Sequence, residues 1–195
     1  MENKDSTKIF SKPWLTIALV VVLFIGALSI RLFDLTDLPN DFYMVRQYRS
    51  LLIARGMYYA HLPTAPEWQR DIAVAQWKEE GLIEPPIMES LAALTYHIIG
   101  EHIWVGRVFA SLFWLVGGLA IWLLAKELSM REGGIIALAY FLFLPFGMTA
   151  SRAFMPDSLM TALIAWSIWA LYRSEKRRSW KTAILAGILT GLAIL

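Results

Sequence analysis

Residues 86–99 read PIMESLAALTYHII, and whether this stretch crosses a membrane decides how the rest of the chain is arranged. It is apolar enough to enter a bilayer, yet it carries Glu89 and His97. At about 1.5 Å per residue it makes a helix of roughly 21 Å, short of a hydrocarbon core about 30 Å thick. The chain around it has the composition of a membrane protein: 57% hydrophobic, only 17% charged, mean hydropathy +0.52. Ordinary soluble domains are about 25% charged. Nine tryptophans and seven tyrosines suit a chain with many rings at the membrane–water boundary. A net charge of only +2 argues against a nucleic-acid partner. The absence of cysteine excludes disulfides and thiolate metal sites.

Charge settles the crossing. Trp14–Ile30 is a continuous uncharged run behind Lys4, Lys8 and Lys12. A cleavable leader is the alternative reading, since Ala27-Leu28-Ser29 faintly resembles a cleavage site; the run continues apolar past it and more spans follow, which favours an uncleaved first span. Further long apolar runs are Ile103–Ala125, Gly133–Ala150, Ser158–Tyr172 and Thr182–Leu195. The connection 173–181 (RSEKRRSWK) carries Arg173, Lys176, Arg177, Arg178 and Lys181, so the positive-inside rule places it in the cytoplasm with the lysine-bearing N-terminus. Counting from that end, this holds only if 86–99 does not cross, and the loop 126–132 (KELSMRE) then falls inside too. The predicted fold is all-α: a polytopic transmembrane helical bundle with external juxtamembrane helices. Residues 86–99 dip in from the outer side and leave there, residues 31–102 form a large first external loop, and the turn SRAFMPD (151–157) faces the same side. The chain stops inside the apolar run GILTGLAIL without a cap or flanking charge, so 1–195 is read as the N-terminal part of a longer domain.

Within the loop, Tyr48–Ala60 has helical spacing. Pro66–Glu80 reads as a second helix, with Pro at its start, Glu67 in its first turn, Trp68, Ile72 and Ala75 on one face, and Gly81 beyond. Both are expected to lie along the membrane surface. Four polar clusters collect on this side: Arg152 with Asp157; Glu84 before Pro85-Pro86; Asp34, Asp37 and Asp41; and Arg46, Arg49 and Arg55. Charges at a membrane edge are costly and often functional. Blander readings stand beside that one. Asp157 follows Pro156 where a helix begins and a carboxylate suits the macrodipole. Arg152 reaches water by snorkelling, Asp41 is an ordinary loop acid, and Glu84 is a solvated turn carboxylate. His97 is read as core packing. Glu101-His102 is too small a set to define a metal site.

Five stretches in order resemble the integral-membrane GT-C glycosyltransferases, in the branch of protein O-mannosyltransferases and aminoarabinose transferases: IARGMYYA (53–60), EPPIMESLAAL (84–94), GEHIWVGRVFASLF (100–113), KELSMREGGIIALAYFLFLP (126–145) and SRAFMPDSLM (151–160). The resemblance implies that residues 1–195 are the N-terminal part of such a domain. It implies an enzyme that takes a hexose or pentose from a polyprenyl-phosphate donor and passes it, with inversion, to a lipid, glycan or protein acceptor on the outer face of a bacterial or archaeal plasma membrane. Such a transfer needs a carboxylate base on the acceptor hydroxyl and positive charge on the leaving phosphate. Asp41 and Asp157 are the candidate catalytic carboxylates, Arg46, Arg49 and Arg152 the candidate phosphate ligands, and Glu84 a donor or metal contact. No cofactor is implied with certainty, and a divalent metal is left open. The family commonly carries an acid, often Asp-Glu, seven residues before the position of Ile53; here that position is Arg46-Gln47. The related Arg-Gln-x-Asp variant places its aspartate at 49, which is Arg49 here, so Asp41 is the nearest substitute. The rival functions are a transporter or lipid flippase, disfavoured because the centres of the spans are uncharged, and a noncatalytic protein of the same fold.

Overall fold

The computed structural model describes residues 13–81, 83–129 and 131–194; Lys4, Lys8 and Lys12 lie outside the described residues. Those residues form helices and no strand: α1 (Pro13–Leu32), α2 (Met44–Ala60), α3 (Glu67–Glu80), α4 (Ile87–Ile99), α5 (Trp104–Leu128), α6 (Arg131–Phe143), α7 (Pro145–Ala150), α8 (Asp157–Arg177) and α9 (Trp180–Ile194). By length and composition α1 and α5 can cross a membrane, with window hydropathies of 2.5 and 2.2. On α1 many apolar side chains are turned outward: Trp14, Ile17, Val21, Val22 and Ile25 are all exposed. An apolar belt of that kind suits lipid.

The direction of each long helix follows from its contacts. Pro13, Thr16 and Ile17, at the start of α1, share a cavity wall with Trp122 and Lys126, near the end of α5. At the other end, Arg107 of α5 donates to the carbonyl of Leu35, just past α1 (3.3 Å). The two helices are therefore antiparallel, and the segment between them begins and ends at one end of the bundle. α4 belongs to that segment. It lies against the first half of α5, burying Met88, Ala92 and Tyr96 against Ala54 of α2, Val105 and Ala110 of α5, and Phe154. α8 runs parallel to α5, with the Trp166 indole donating to the Val116 carbonyl (3.0 Å) and the Tyr172 hydroxyl to that of Glu127 (3.3 Å).

The ends of the short helices follow from their sequence. Gly100 closes α4 at φ 88°, its N–H bonded to the Tyr96 carbonyl, and Gly81 closes α3 at φ 65°; both conformations favour glycine. One expectation about a side chain is corrected. His97 is exposed, its ring edge-on to Tyr58 (4.9 Å), and not in the core. Trp68, Ile72 and Ala75 of α3 lie together on an exposed face, while Ala73 is buried beside Gly56 of α2.

The uncharged run Gly133–Ala150 is not one helix. Pro145 has no N–H to donate and forces Leu144 into extended backbone (ψ 124°). Two carbonyls near this break are taken up by side chains. Trp114 Nε1 donates to Phe141 O (3.3 Å), and Arg31 Nη2 donates to Leu142 O (2.9 Å).

Gly106 passes directly beneath the Phe154 ring, and a Cβ there would overlap it. Gly106→Ala is expected to cost about 1–3 kcal/mol through overpacking, read as a lower midpoint in thermal unfolding followed by tryptophan fluorescence. Gly187→Ala, where a Cβ meets nothing, is the matched control and should lose nothing.

Candidate functional site

The turn 151–157 is stitched to α1 in both directions. Arg31, at the end of α1, is fully buried; its Nε donates to Ser151 Oγ (2.7 Å), its Nη1 to Ala27 O (3.0 Å) and its Nη2 to Leu142 O. In return, Arg152 Nη2 donates to the carbonyls of Phe33 (2.5 Å) and Asp34 (3.2 Å). A third tie comes from Gln47 on α2. Its buried amide accepts from the Phe154 N–H (3.2 Å) and donates to the Phe42 carbonyl. Tyr43, the next residue, sits at φ 43°, a left-handed conformation that is costly for a bulky side chain and is held there by these contacts. Gln47→Leu would strand the Phe42 carbonyl and the Phe154 N–H. A loss of about 1–3 kcal/mol per stranded group is expected, measured as a drop in the unfolding midpoint.

Beyond the turn lies an ion-pair knot. Arg46 stands between two carboxylates, with Nη2 3.3 Å from Glu84 Oε1 and Nη1 3.3 Å from Asp157 Oδ2. This joins α2, the Pro-Pro segment before α4, and α8. Asp157 opens α8 behind the N-cap Pro156, so its carboxylate faces both its own helix end and Arg46. Arg49 turns away from the knot. It is bonded to the Gly81 carbonyl (3.0 Å) and paired with Glu80 (3.7 Å), so the two arginines, three apart, serve different neighbours.

On the other side of the turn is an open cavity of about 720 Å³, lined by Asp34, Thr36, Asp37, Leu38, Asn40, Asp41, Arg107 and Arg152. Asp41, 54% exposed, faces Arg107 across 3.8 Å. Asp34 holds its carboxyl above the usual carboxylate range, first because it shares a hydrogen bond with Asp37 and then because the two charges repel. Arg107 is the residue that sequence reasoning left out of the site. Its signal was present as the last residue of the Gly-x-x-x-Trp-x-x-Arg pattern, Gly100–Arg107, but nothing in that spacing says that the chain before α2 will fold over it. So the structure brings Arg46, Glu84 and Asp157 together, places Asp41 and Arg152 around a neighbouring cavity, and puts Arg49 elsewhere.

Two further polar pairs lie farther along α2. Ser50 Oγ donates to the buried carboxyl of Glu89 (2.7 Å), and Arg55 pairs with Glu101 (3.4 Å). Among the described residues no three His, Asp or Glu side chains converge as a metal set.

The family model for dolichyl-phosphate-mannose-protein mannosyltransferases matches residues 83–195, more than half of the chain. The protein belongs to that mannosyltransferase family. Membership implies an integral membrane glycosyltransferase that uses a lipid-linked sugar donor. The matched region contains Glu84, Arg107, Arg152 and Asp157 and leaves out Asp41, Arg46 and Arg49. No curated protein and no solved structure matches the chain.

Proposed function

We propose that this member of the mannosyltransferase family moves a hexose or pentose from a polyprenyl phosphate to an acceptor hydroxyl at the bundle end that carries the cavity, on the outer face of a plasma membrane. The acceptor is a lipid, a glycan or a protein. The observation that carries the reading is the cavity itself. It is wide and open, and it places an accessible carboxylate, Asp41, beside two arginines. That is the pairing a displacement at a sugar carbon requires. Asp41 takes the proton from the acceptor hydroxyl. The acceptor oxygen bonds to the anomeric carbon, the bond from that carbon to the phosphate oxygen breaks, and the departing phosphate stays on guanidinium. Attack opposite the leaving group inverts the carbon. The Arg46 knot fixes the wall between the cavity and the start of α4, and Asp157 acts by holding Arg46.

The test is full-length protein in proteoliposomes with radiolabelled polyprenyl-phosphate mannose and with pentose analogues. Label passing to a hydroxyl acceptor is expected. Lipid movement across the bilayer without sugar transfer hands the protein to the flippase reading. Orientation is tested separately with Thr36→Cys, His102→Cys and Lys181→Cys. An impermeant maleimide is expected to reach the first two from outside intact cells and the third only after permeabilisation. Labelling of positions 36 and 102 from opposite sides would overturn the one-ended loop.

A further inference from the structure

We infer that the turn between α8 and α9 is a docking surface for anionic phospholipid in the leaflet opposite the cavity. Arg177, Arg178 and Lys181 hold the headgroup, and the outward faces of α8 and α9 take the acyl chains. The inference stands apart from sugar transfer and requires only that the bundle sits in a bilayer.

Charge at this turn exceeds what the protein pairs. Residues 173–181 carry five cations and one carboxylate, Glu175. Two of the cations are used within the fold. Arg173 and Lys176 pair with Glu127 of α5 (3.7 and 3.9 Å), and they lie over the Trp169 and Tyr172 rings. Arg177, Arg178 and Lys181 are exposed. Among the described residues no carboxylate, Glu175 included, comes within ion-pair distance of them. Three unpaired like charges on one turn repel one another, and a bound anion relieves that repulsion.

The backbone supplies a second observation. α8 ends in a Schellman turn, with the Ser179 N–H bonded to the Ser174 carbonyl (3.2 Å) and the Arg178 N–H to that of Glu175 (3.4 Å). Arg178 therefore sits at φ 46°. Glycine is the usual residue at this point, because left-handed backbone crowds a Cβ. An arginine in its place holds a third guanidinium or ammonium group at the turn at a cost in backbone strain, which points to a use for its charge.

The surroundings favour a lipid over a soluble anion. Trp180, among the cations, is 69% exposed, and an indole placed so belongs at headgroup level. Ile184 and Ile188 follow it at one-turn intervals on the same face of α9, and Ile168 and Leu171 approach the turn along α8; all four are exposed. A headgroup phosphate on the cations thus has apolar side chains beneath it for its own chains. Clusters of this kind attract anionic lipid with about 1 kcal/mol per cation. α8 has 21 residues, about 31 Å of helix, so the turn and the cavity end lie on opposite sides of a hydrocarbon core about 30 Å thick.

Tryptophan quenching by dibrominated lipids tests this in the full-length protein, reconstituted in phosphatidylcholine bilayers. Dibrominated phosphatidylglycerol is expected to quench Trp180 at a mole fraction at least about tenfold lower than dibrominated phosphatidylcholine, with Trp180→Phe identifying that part of the signal. Arg177→Gln, Arg178→Gln and Lys181→Gln should each raise the required fraction about two- to five-fold, and the triple variant should no longer distinguish the two lipids. Lys78→Gln, which removes an exposed cation of α3, is the control and should change nothing. Arg178→Gly separates charge from folding. It should lose as much lipid selectivity as Arg178→Gln, while its unfolding midpoint in pure phosphatidylcholine is unchanged or raised. Wild-type selectivity in the triple variant, or an equal loss in Lys78→Gln, overturns the inference. So does release of the lipid by inorganic phosphate but not by chloride of equal ionic strength, which would make the turn a site for a soluble anion. A Trp180 that neither lipid quenches would also overturn it, because another part of the protein would then cover the turn.

Discussion

Asp41→Asn is expected to lower the turnover rate of sugar transfer by about 10²–10⁴-fold, the usual span for loss of a general base. The donor KM should change little at the same time, because the departing phosphate is held by guanidinium and not by the carboxylate. A split of that kind is hard to obtain from misfolding, which disturbs rate and binding together. Asp157→Asn is the comparison. Asp157 is bound to Arg46, beyond the turn from the cavity, so its loss is expected to cost about tenfold, through wall position alone. Steady-state transfer of radiolabelled mannose, with donor and acceptor varied separately, measures both variants. If Asp157→Asn is the more damaging and Asp41→Asn keeps its rate, the base is Asp157 and the cavity is not the reaction chamber.

Much of this arrangement was legible in the sequence, for identifiable reasons. Helix limits came through at α3 and α4 because Pro66, Gly81, Pro86 and Gly100 are strong local signals. Basic loops and a short apolar segment, global constraints that a single chain displays, are what led to the expectation of an external loop over residues 31–102; the antiparallel α1 and α5 are compatible with it. The break at Pro145 was hidden by an unbroken apolar composition; only its backbone chemistry betrays it. Side-chain partners were the least legible. Arg46 and Arg49 share a helix face by spacing, yet one meets Glu84 and Asp157 and the other the end of α3. Which carboxylate an arginine finds depends on loops meeting across long separations in sequence, and no local pattern encodes that. Arg31, Gln47 and Arg107 were missed for the same reason: their roles exist only once α1, α2 and the 151–157 turn are assembled.

Arg46→Asp gives the sharpest test of how residue and family pattern relate. The resemblance places an acid at position 46, so the substitution would restore the usual residue type. The structure predicts the opposite of a gain. In this chain Glu84 and Asp157 both rely on Arg46, at 3.3 Å each, and an aspartate there would set three carboxylates against one another. All three side chains are partly exposed, so each lost pair is worth only about 0.2–1 kcal/mol after screening, and each new like-charge contact costs a similar amount. The sum is about 1–4 kcal/mol, or roughly 2–16 °C in unfolding midpoint for a chain of this size. Transfer activity should fall at least about tenfold as the wall between α2, α4 and α8 opens. Adding Glu84→Arg to Arg46→Asp recreates one cation between two carboxylates, and it should recover most of the stability. Wild-type activity in Arg46→Asp would mean that the knot is incidental and that position 46 itself supplies the acid in the family's manner. Loss in the single variant with recovery in the pair would mean that this chain has moved its working carboxylate elsewhere and built a structural ion pair in the vacated place.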